Sequence, residues 1–134
     1  MDFKLTEDGD LVIGADGNFE MVSGDEETTQ RILFRLKTVK GDYLLEPETG
    51  CSLEQFKGQP NVQATWSEIE AIIQEELSKD DIEFTVDCVP ISDNEVFILI
   101  EFVSTESQDL VIQVKSTLDL REGQVYARSD QRTN

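Results

Sequence analysis

Carboxylates are the side chains of this sequence that are most able to do chemistry. The 134 residues include 29 Asp and Glu, 11 Lys and Arg, and no His. Two carboxyl groups held across a cleft with separated pKa values can hydrolyse a glycosidic bond. Here the acids fall mainly on predicted solvent-facing positions and turns, and their number makes any chosen pair weak evidence. The sequence therefore gives carbohydrate hydrolysis little support.

The sequence contains no recognisable metal, nucleotide or nucleophile motif. Asp8, Asp10 and Asp16 lie close together, but their spacing does not fit an EF-hand loop, which also needs a Glu at its twelfth position. Cys51 and Cys88 form no CxxC pair, whereas a structural zinc site needs about four Cys or His ligands. There is also no GxSxG, Walker or GxGxxG pattern. We therefore expect no catalytic residue, no metal and no cofactor.

The formal net charge of −18 constrains the partners of this protein. Such a surface repels phosphate backbones and anionic membranes, so we expect neither nucleic acid nor membrane as a partner. The acidity serves solubility, offers a docking surface for basic proteins, or mimics DNA, and these three interpretations stay open. The N-terminus lacks the pattern of a signal peptide, and no apolar run is long enough to span a bilayer.

The first 22 residues predict a β-hairpin. The Asp-Gly pairs at 8–9 and 16–17 are turn signals, because Gly accepts a positive φ. A helix follows, since Ser23 and Glu26 have the spacing of a capping box. Its apolar stripe recurs at i, i+3, i+4 and i+7 and consists of Thr29, Ile32, Leu33 and Leu36.

A second helix is predicted to begin at another capping box, Thr65 to Glu68, and to end near Ser78. Its apolar residues fall on one stripe, which predicts an amphipathic helix; they are Trp66, Ile69, Ile72, Ile73 and Leu77. The acids of this helix are predicted to cover mostly its solvent side, and they are Glu68, Glu70, Glu75 and Glu76.

After the second helix the apolar period changes from 3.6 to 2. This alternation predicts strands at 82–89, 95–103 and 109–117, joined by short connections that favour an antiparallel meander. The predicted fold is α+β, with an N-terminal β-hairpin and two amphipathic helices packed on a C-terminal three-stranded antiparallel meander. We expect a single domain at 1–118, followed by a polar tail at 119–134 that becomes ordered on a partner.

Residues 30–53 resemble the gene-25-like baseplate wedge proteins of contractile phage tails and related injection systems. The family pattern is an amphipathic helix, a Gly-acid turn, an apolar pair, Pro, two residues and Gly, and finally Leu. Seven positions of this chain match that pattern: Leu36, Thr38, Gly41, Asp42, Pro47, Gly50 and Leu53. The order of the other elements also fits, so the resemblance covers most of residues 1–118.

One departure from the family pattern follows the second helix. Many members carry Glu-Pro-Arg there, which clamps the helical core bundle of the wedge, whereas this chain has Lys79, Asp80 and Asp81. If the clamp exists here, these three residues replace it with different chemistry. The resemblance thus implies interaction residues in the loop motif and at this position: Gly41, Pro47, Gly50, Lys79, Asp80 and Asp81.

The resemblance implies a structural function rather than a catalytic one. Such proteins bind other baseplate wedge subunits, and their sheet templates the first ring of the tail sheath protein. The physical basis is strand addition at an open sheet edge, and the edges of the predicted meander are its first and third strands. Interaction residues on the third strand would be Val111, Gln113 and Lys115. The implied location is the tail baseplate of a virion that is assembled in the host cytoplasm.

Two other functions stay open. A free acidic binding module, such as an inhibitor or a DNA mimic, would act as an isolated protein and would bind one basic partner in a salt-sensitive way. A small hydrolase would turn over peptidoglycan, and one carboxylate substitution would abolish that activity.

Overall fold

The computed structural model of the protein describes residues 2–6, 10–80, 82–127 and 132–133. The helices are α1 (Gly24–Lys37), a short 3-10 helix (Leu53–Phe56) and α2 (Gln63–Leu77). The strands are β1 (Asp2–Phe3), β2 (Met21–Val22), β3 (Phe84–Pro90), β4 (Glu95–Val103), β5 (Val111–Asp119), β6 (Gln124–Ala127) and β7 (Arg132–Thr133). None of the helices described is both long and apolar enough to cross a bilayer.

The larger sheet is antiparallel and has the strand order β3-β4-β5-β6. Its first three strands confirm the predicted meander, with ends shifted by at most two residues. The predicted number of strands is wrong, because β6 adds a fourth strand beside β5. The short β7 pairs with β5 farther along, where Arg132 lies opposite Gln113.

One face of the larger sheet forms the hydrophobic core together with both helices. Every second residue of β4 is buried, and the register places the buried residues of β5 beside them. This pattern arises because successive side chains of a strand point to opposite faces. Both amphipathic helices cover the same face, and the central core residues are Ile32, Leu36, Ile69, Ile73, Val96, Ile98, Ile100, Phe102, Val114 and Leu118.

The first turn of α1 is held by a different contact from the predicted capping box. Ser23 is the N-cap residue, but its side chain makes no capping hydrogen bond. Instead, the carboxylate of Asp25 accepts hydrogen bonds from the hydroxyl of Ser104 and from the backbone N–H of Thr105, the latter at 2.7 Å. The N-terminal end of α1 is therefore tied to the connection between β4 and β5.

The second helix departs from its prediction in two places. It begins at Gln63 with Val62 as the N-cap residue, so Thr65 is a buried residue inside the helix and not its cap. Glu76, predicted with the other acids on the solvent side, is only 3% exposed. Its position on the buried face is possible because Arg35 of α1 pairs with it there.

The N-terminal residues form a small antiparallel sheet, in which β1 pairs with β2. It contacts α1 through Gln30, whose side-chain oxygen accepts a hydrogen bond from the backbone N–H of Leu5 at 2.8 Å. The turn predicted at Asp16 and Gly17 is confirmed, since Gly17 has a φ of +83°. The turn predicted at 8–9 lies outside the described residues.

Candidate functional site

A largely buried cluster of charged side chains joins the two helices. Arg35 of α1 donates to both carboxylate oxygens of Asp80, from Nε and from Nη2, each at 3.1 Å. Its third nitrogen, Nη1, donates to Oε2 of Glu76 at 2.5 Å. Two parallel N–H···O bonds between a guanidinium and a carboxylate fix orientation as well as distance. This cluster therefore sets how the C-terminal ends of α1 and α2 lie against each other.

Glu76 is the centre of this cluster. Its Oε2 also accepts the backbone N–H of Gly50 at 3.1 Å, and its Oε1 accepts Nζ of Lys79 at 2.7 Å. Burial by itself raises the pKa of Glu76, but the hydrogen bonds from Lys79, Gly50 and Arg35 outweigh it and hold that pKa below the ordinary value of 4.5. Glu76 is therefore ionised at neutral pH, and it anchors the connection between the helices.

Residues 39–50, which we call the leucine loop, form a series of turns after α1. The N–H of Gly41 donates to the carbonyl of Pro47 at 2.8 Å, which closes the loop across its middle. The ring of Tyr43 packs edge-on against Phe34 of α1, with ring centroids 5.3 Å apart. Together with the hydrogen bond from the N–H of Gly50 to Glu76, these contacts hold the loop near its first residues, across its middle and at its end.

Two leucines lie exposed in the leucine loop. Leu44 and Leu45 are 85% and 83% exposed, more than any other large apolar side chain in the described part of the chain. The loop also carries the acids Asp42, Glu46 and Glu48. Single exposed apolar residues are common on protein surfaces, but adjacent ones on a fixed loop suggest an interaction site.

The structure brings five of the nine predicted interaction residues together, in the leucine loop and in the charge cluster that anchors it: Gly41, Pro47, Gly50, Lys79 and Asp80. Asp81 lies outside the described residues. The other three lie on β5, on the face of the sheet opposite to the helices: Val111, Gln113 and Lys115.

The prediction that the third strand is an edge of the sheet is wrong. β6 pairs with the end of β5 from Ser116 to Asp119, and β7 pairs with Ile112 and Gln113. The chain after Asp119 turns back and continues the sheet, so β5 lies between neighbours on both sides. The edge argument that singled out Val111, Gln113 and Lys115 therefore no longer applies.

The first real edge, β3, is partly closed. The backbone N–H of Ile91 donates to the carbonyl of Glu95 on β4. Along an antiparallel strand, residues bonded to the neighbouring strand alternate with residues whose N–H and C=O point away from it. In the observed register, the even-numbered residues of β3 are those that point outward. Among these, the N–H of Cys88 donates to the carboxylate of Glu70 on α2 at 2.9 Å. Pro90, another of them, has no N–H to offer. Both features are ways in which proteins protect an edge strand.

The second edge of the sheet, β6, is less protected than β3. The backbone N–H of Leu120 donates to the carbonyl of Asn94, which shows that the even-numbered residues of β5 are bonded to β4. The odd-numbered residues of β5 therefore direct their backbone groups to β6, where their partners are Gln124 and Tyr126. By the same alternation, the backbone groups of Val125 and Ala127 point away from β5. This is where a further strand could add.

A groove lies along α1, bordered by residues 4–6 towards the N-terminal end of the helix and by this edge towards its C-terminal end, and we call it the α1–β6 groove. It has two adjoining stretches of about 370 and about 410 Å³, which share Lys37 in their walls. The apolar residues of the first stretch include Leu5, Leu33 and Phe34, and Ala127 borders it. The second stretch is lined by residues that include Leu36, Val39, Leu53, Val125 and Tyr126.

Sequence reasoning missed Arg35 and Glu76 as residues of the site. A signal was present, because Glu76 follows Ile72 by four residues and Ile73 by three, which places it within the apolar stripe of the helix. Arg35 likewise follows Ile32 by three residues. A charge within such a stripe indicates a buried partner of opposite sign, since an unpaired buried charge is too costly.

The remaining groups with possible chemistry are the two cysteines, and both thiols are free. Desolvation raises the pKa of Cys51 and of Cys88 to about 12. Both are therefore protonated at neutral pH and are poor nucleophiles. In the described ranges of the chain, no three His, Cys, Asp or Glu side chains are grouped so that they could hold a metal ion.

The fold and these surfaces define a small acidic α+β protein whose accessible features, a sheet edge and an apolar loop, are of the kind that bind other protein chains. A family model for contractile injection system sheath initiators matches residues 1–89. The chain belongs to that family, which confirms the resemblance to baseplate proteins of contractile tails.

A crystal structure from Geobacter sulfurreducens, described as a candidate tail lysozyme, has a similar fold. It superimposes with a TM-score of 0.63 at 23% sequence identity, and the alignment covers 77% of this chain and 97% of that chain. At this identity the likeness concerns the fold alone. No match was found among proteins with curated functions.

Two glycines of the leucine loop have a positive φ, but only one of them is closely packed against its surroundings. Gly41 and Gly50 have φ angles of +95° and +122°, but only at Gly50 would a Cβ overlap the carbonyl of Thr38, with the carbonyl carbon 2.8 Å away. We expect Gly50→Ala to lower the free energy of unfolding by about 3 kcal/mol or more, and Gly41→Ala by about 1 to 2 kcal/mol. Urea denaturation measures both, and equal losses would contradict the close packing at Gly50.

The pKa of Glu76 predicts a pH-dependent stability. Because this pKa is lower in the folded state, the contribution of Glu76 is complete above about pH 5 and is lost as the pH falls through the folded pKa. We expect Glu76→Gln to reduce the free energy of unfolding by about 3 kcal/mol at pH 7, and by progressively less below pH 4.5.

The neighbouring Glu75 provides a matched control, since it is exposed on the same helix. Glu75→Gln is expected to change stability by less than about 0.5 kcal/mol at either pH. Denaturation at pH 7 and at pH 3.5 tests the pair of variants. A Glu76→Gln variant as stable as the wild type at pH 7 would show that the buried cluster is not a source of stability.

Proposed function

We propose that this protein is a structural subunit of a tail baseplate, without enzymatic activity, that starts assembly of the sheath. In this proposal it docks on other wedge subunits and offers β6 to a strand of the first sheath subunits. The observation that carries the proposal is the outward orientation of Val125 and Ala127 beside the α1–β6 groove. Assembly would take place in the host cytoplasm.

The α1–β6 groove suits an added strand for geometric reasons. Backbone hydrogen bonds to Val125 and Ala127 would supply affinity that does not depend on the sequence of the incoming chain. Side chains of that strand would point alternately to its two faces. Those on the helix side would meet partly exposed apolar residues of α1 such as Leu33 and Phe34, and this would select an apolar, alternating segment.

The contrast between the two edges supports the choice of β6. On β3, the N–H of Cys88 is already bonded to Glu70 and Pro90 has none. A strand that added there would find two of the four outward positions without an available donor. Among the described residues, none closes the outward backbone of Val125 or Ala127 in this way.

The buried carboxylate supports a structural function as well. A general acid of a glycosidase needs a raised pKa, whereas the pKa of Glu76 is lowered. Glu76 is also the one carboxylate that is buried among the described residues. Its oxygens are held by Arg35, Lys79 and Gly50. We infer that Glu76 holds the fold together and transfers no proton.

Strand addition predicts the effect of a proline at the outward edge of β6. Val125→Pro removes an N–H that points away from β5, so the ladder between β5 and β6 keeps its bonds. In cells whose only copy carries Val125→Pro, we expect sheathed tails to fall at least tenfold while baseplates still form. Negative-stain electron microscopy counts both.

The opposite edge offers a matched control, because Val86 is also a partly buried valine whose backbone points outward. We expect Val86→Pro to leave the number of sheathed tails within twofold of wild type. If Val86→Pro blocked sheath assembly and Val125→Pro did not, the accepting edge would be β3. Normal sheaths with both variants would rule out strand addition, and peptidoglycan turnover by the purified protein would contradict a purely structural function.

A further inference from the structure

The leucine loop places two adjacent apolar side chains in solvent on a backbone that is held in place. Leu44 and Leu45 are more than four-fifths exposed. The hydrogen bond from the N–H of Gly41 to the carbonyl of Pro47 closes the loop beneath them, and the backbone N–H of Glu46 donates to the carbonyl of Tyr43 at 3.2 Å. A fixed apolar projection loses little conformational freedom on binding, which favours its use as an anchor.

The charges around these leucines restrict what they can contact. The leucine loop is net acidic, with three acids against one Lys, Lys40, and Nζ of Lys79 donates to the carbonyl of Glu48 at 2.9 Å. An apolar cleft whose rim carries Lys or Arg side chains fits this surface in both shape and charge. An anionic lipid surface would be repelled by the same acids.

The leucine loop also adjoins the α1–β6 groove. Phe34, which supports Tyr43 in the loop, lines the first stretch of the groove, and Val39, the first residue of the loop, lines the second. A chain that lies in the groove therefore passes close to the first residues of the leucine loop. The two surfaces are continuous and can be contacted by one partner.

We infer that Leu44 and Leu45 insert into an apolar cleft with a basic rim on the sheath subunit that adds its strand to β6. This inference rests on the proposed function and adds a second contact to it. The strand provides affinity that is largely independent of sequence, and the leucines provide recognition of one particular subunit. The buried cluster around Glu76 holds the leucine loop in the position that this contact requires.

The test measures binding of purified sheath subunit, and separately of purified wedge subcomplex from the same system, to the immobilised full-length protein. We expect Leu44→Ser combined with Leu45→Ser to raise the Kd for sheath subunit at least tenfold and to leave wedge binding within twofold. The melting temperature should not change, because both side chains are exposed. Raising the NaCl concentration from 0.1 to 0.5 M should weaken wild-type binding to the sheath subunit, since opposite charges attract.

Leu110→Ser is the control, because Leu110 is another exposed leucine. It follows the Ser104 connection at the N-terminal end of α1, about 20 Å along that helix from the leucine loop. This variant should bind sheath subunit and wedge subcomplex as the wild type does. Weaker binding by Leu110→Ser equal to that of the double variant would show a general loss of apolar surface and would overturn the inference.

The remaining outcomes separate this inference from the proposed function. If the double variant binds sheath subunit normally while Val125→Pro does not, the leucine contact is refuted and strand addition stands. If the double variant loses the wedge subcomplex and not the sheath subunit, the loop belongs to the baseplate side and the inference is refuted. If the wild type binds no sheath subunit, both are refuted. Binding of the wild type, but not of the double variant, to phosphatidylglycerol vesicles would make the loop a lipid anchor.

Discussion

The buried contact of Arg35 with Glu76 and Asp80 connects elements that are far apart in the sequence. A guanidinium and two carboxylates lose their hydration when they are buried, and only close, well-directed hydrogen bonds offset that cost. Here Arg35 donates to both carboxylates, Lys79 donates to the other oxygen of Glu76, Oε1, and the N–H of Gly50 donates to Oε2 beside Arg35. The network is therefore stable only in one arrangement of α1, α2 and the leucine loop.

That single arrangement positions both surfaces that we assign to partners. α1 forms one wall of the groove beside β6, and the leucine loop begins where α1 ends. Asp25 fixes the other end of α1 to the connection between β4 and β5. Since α1 is tied at both ends, the distance between its exposed side and the free edge of the sheet is set by the fold. A site that must receive a strand in register benefits from such a fixed wall.

The sequence was sufficient to predict the elements whose apolar residues follow a clear period. Both helices and three strands were found, because burial on one face imposes spacings of 3.6 and 2 on residues such as Ile32, Ile73 and Ile98. β6 was missed because its four residues form only a short alternation within a mostly polar segment. A strand of this kind is stabilised by pairing with β5 and leaves little pattern of its own.

The site was only partly predictable for a related reason. Pro47 and Gly50 carry local turn signals, but it was the resemblance to the wedge family that singled out Gly41, Pro47 and Gly50 as interaction residues. A charged residue such as Glu76 is normally expected on the solvent side, although its position within the apolar stripe of α2 places it on the buried face. Its partner Arg35 lies 41 residues away in the sequence, so no local pattern links the two. Which strand forms the open edge depends on how β5 pairs with the residues that follow it in the chain. That pairing is a property of the folded sheet, and no local pattern contains it.

In the function that we propose, this member of the sheath initiator family is the template on which the first sheath strand is ordered. Amide hydrogen exchange measured on the protein alone and with bound sheath subunit tests this most directly. If β6 receives that strand, exchange at Val125 and Ala127 slows strongly on binding, while exchange at Phe84 and Val86 stays unchanged. Slowing at Phe84 and Val86 with none at Val125 and Ala127 would contradict it.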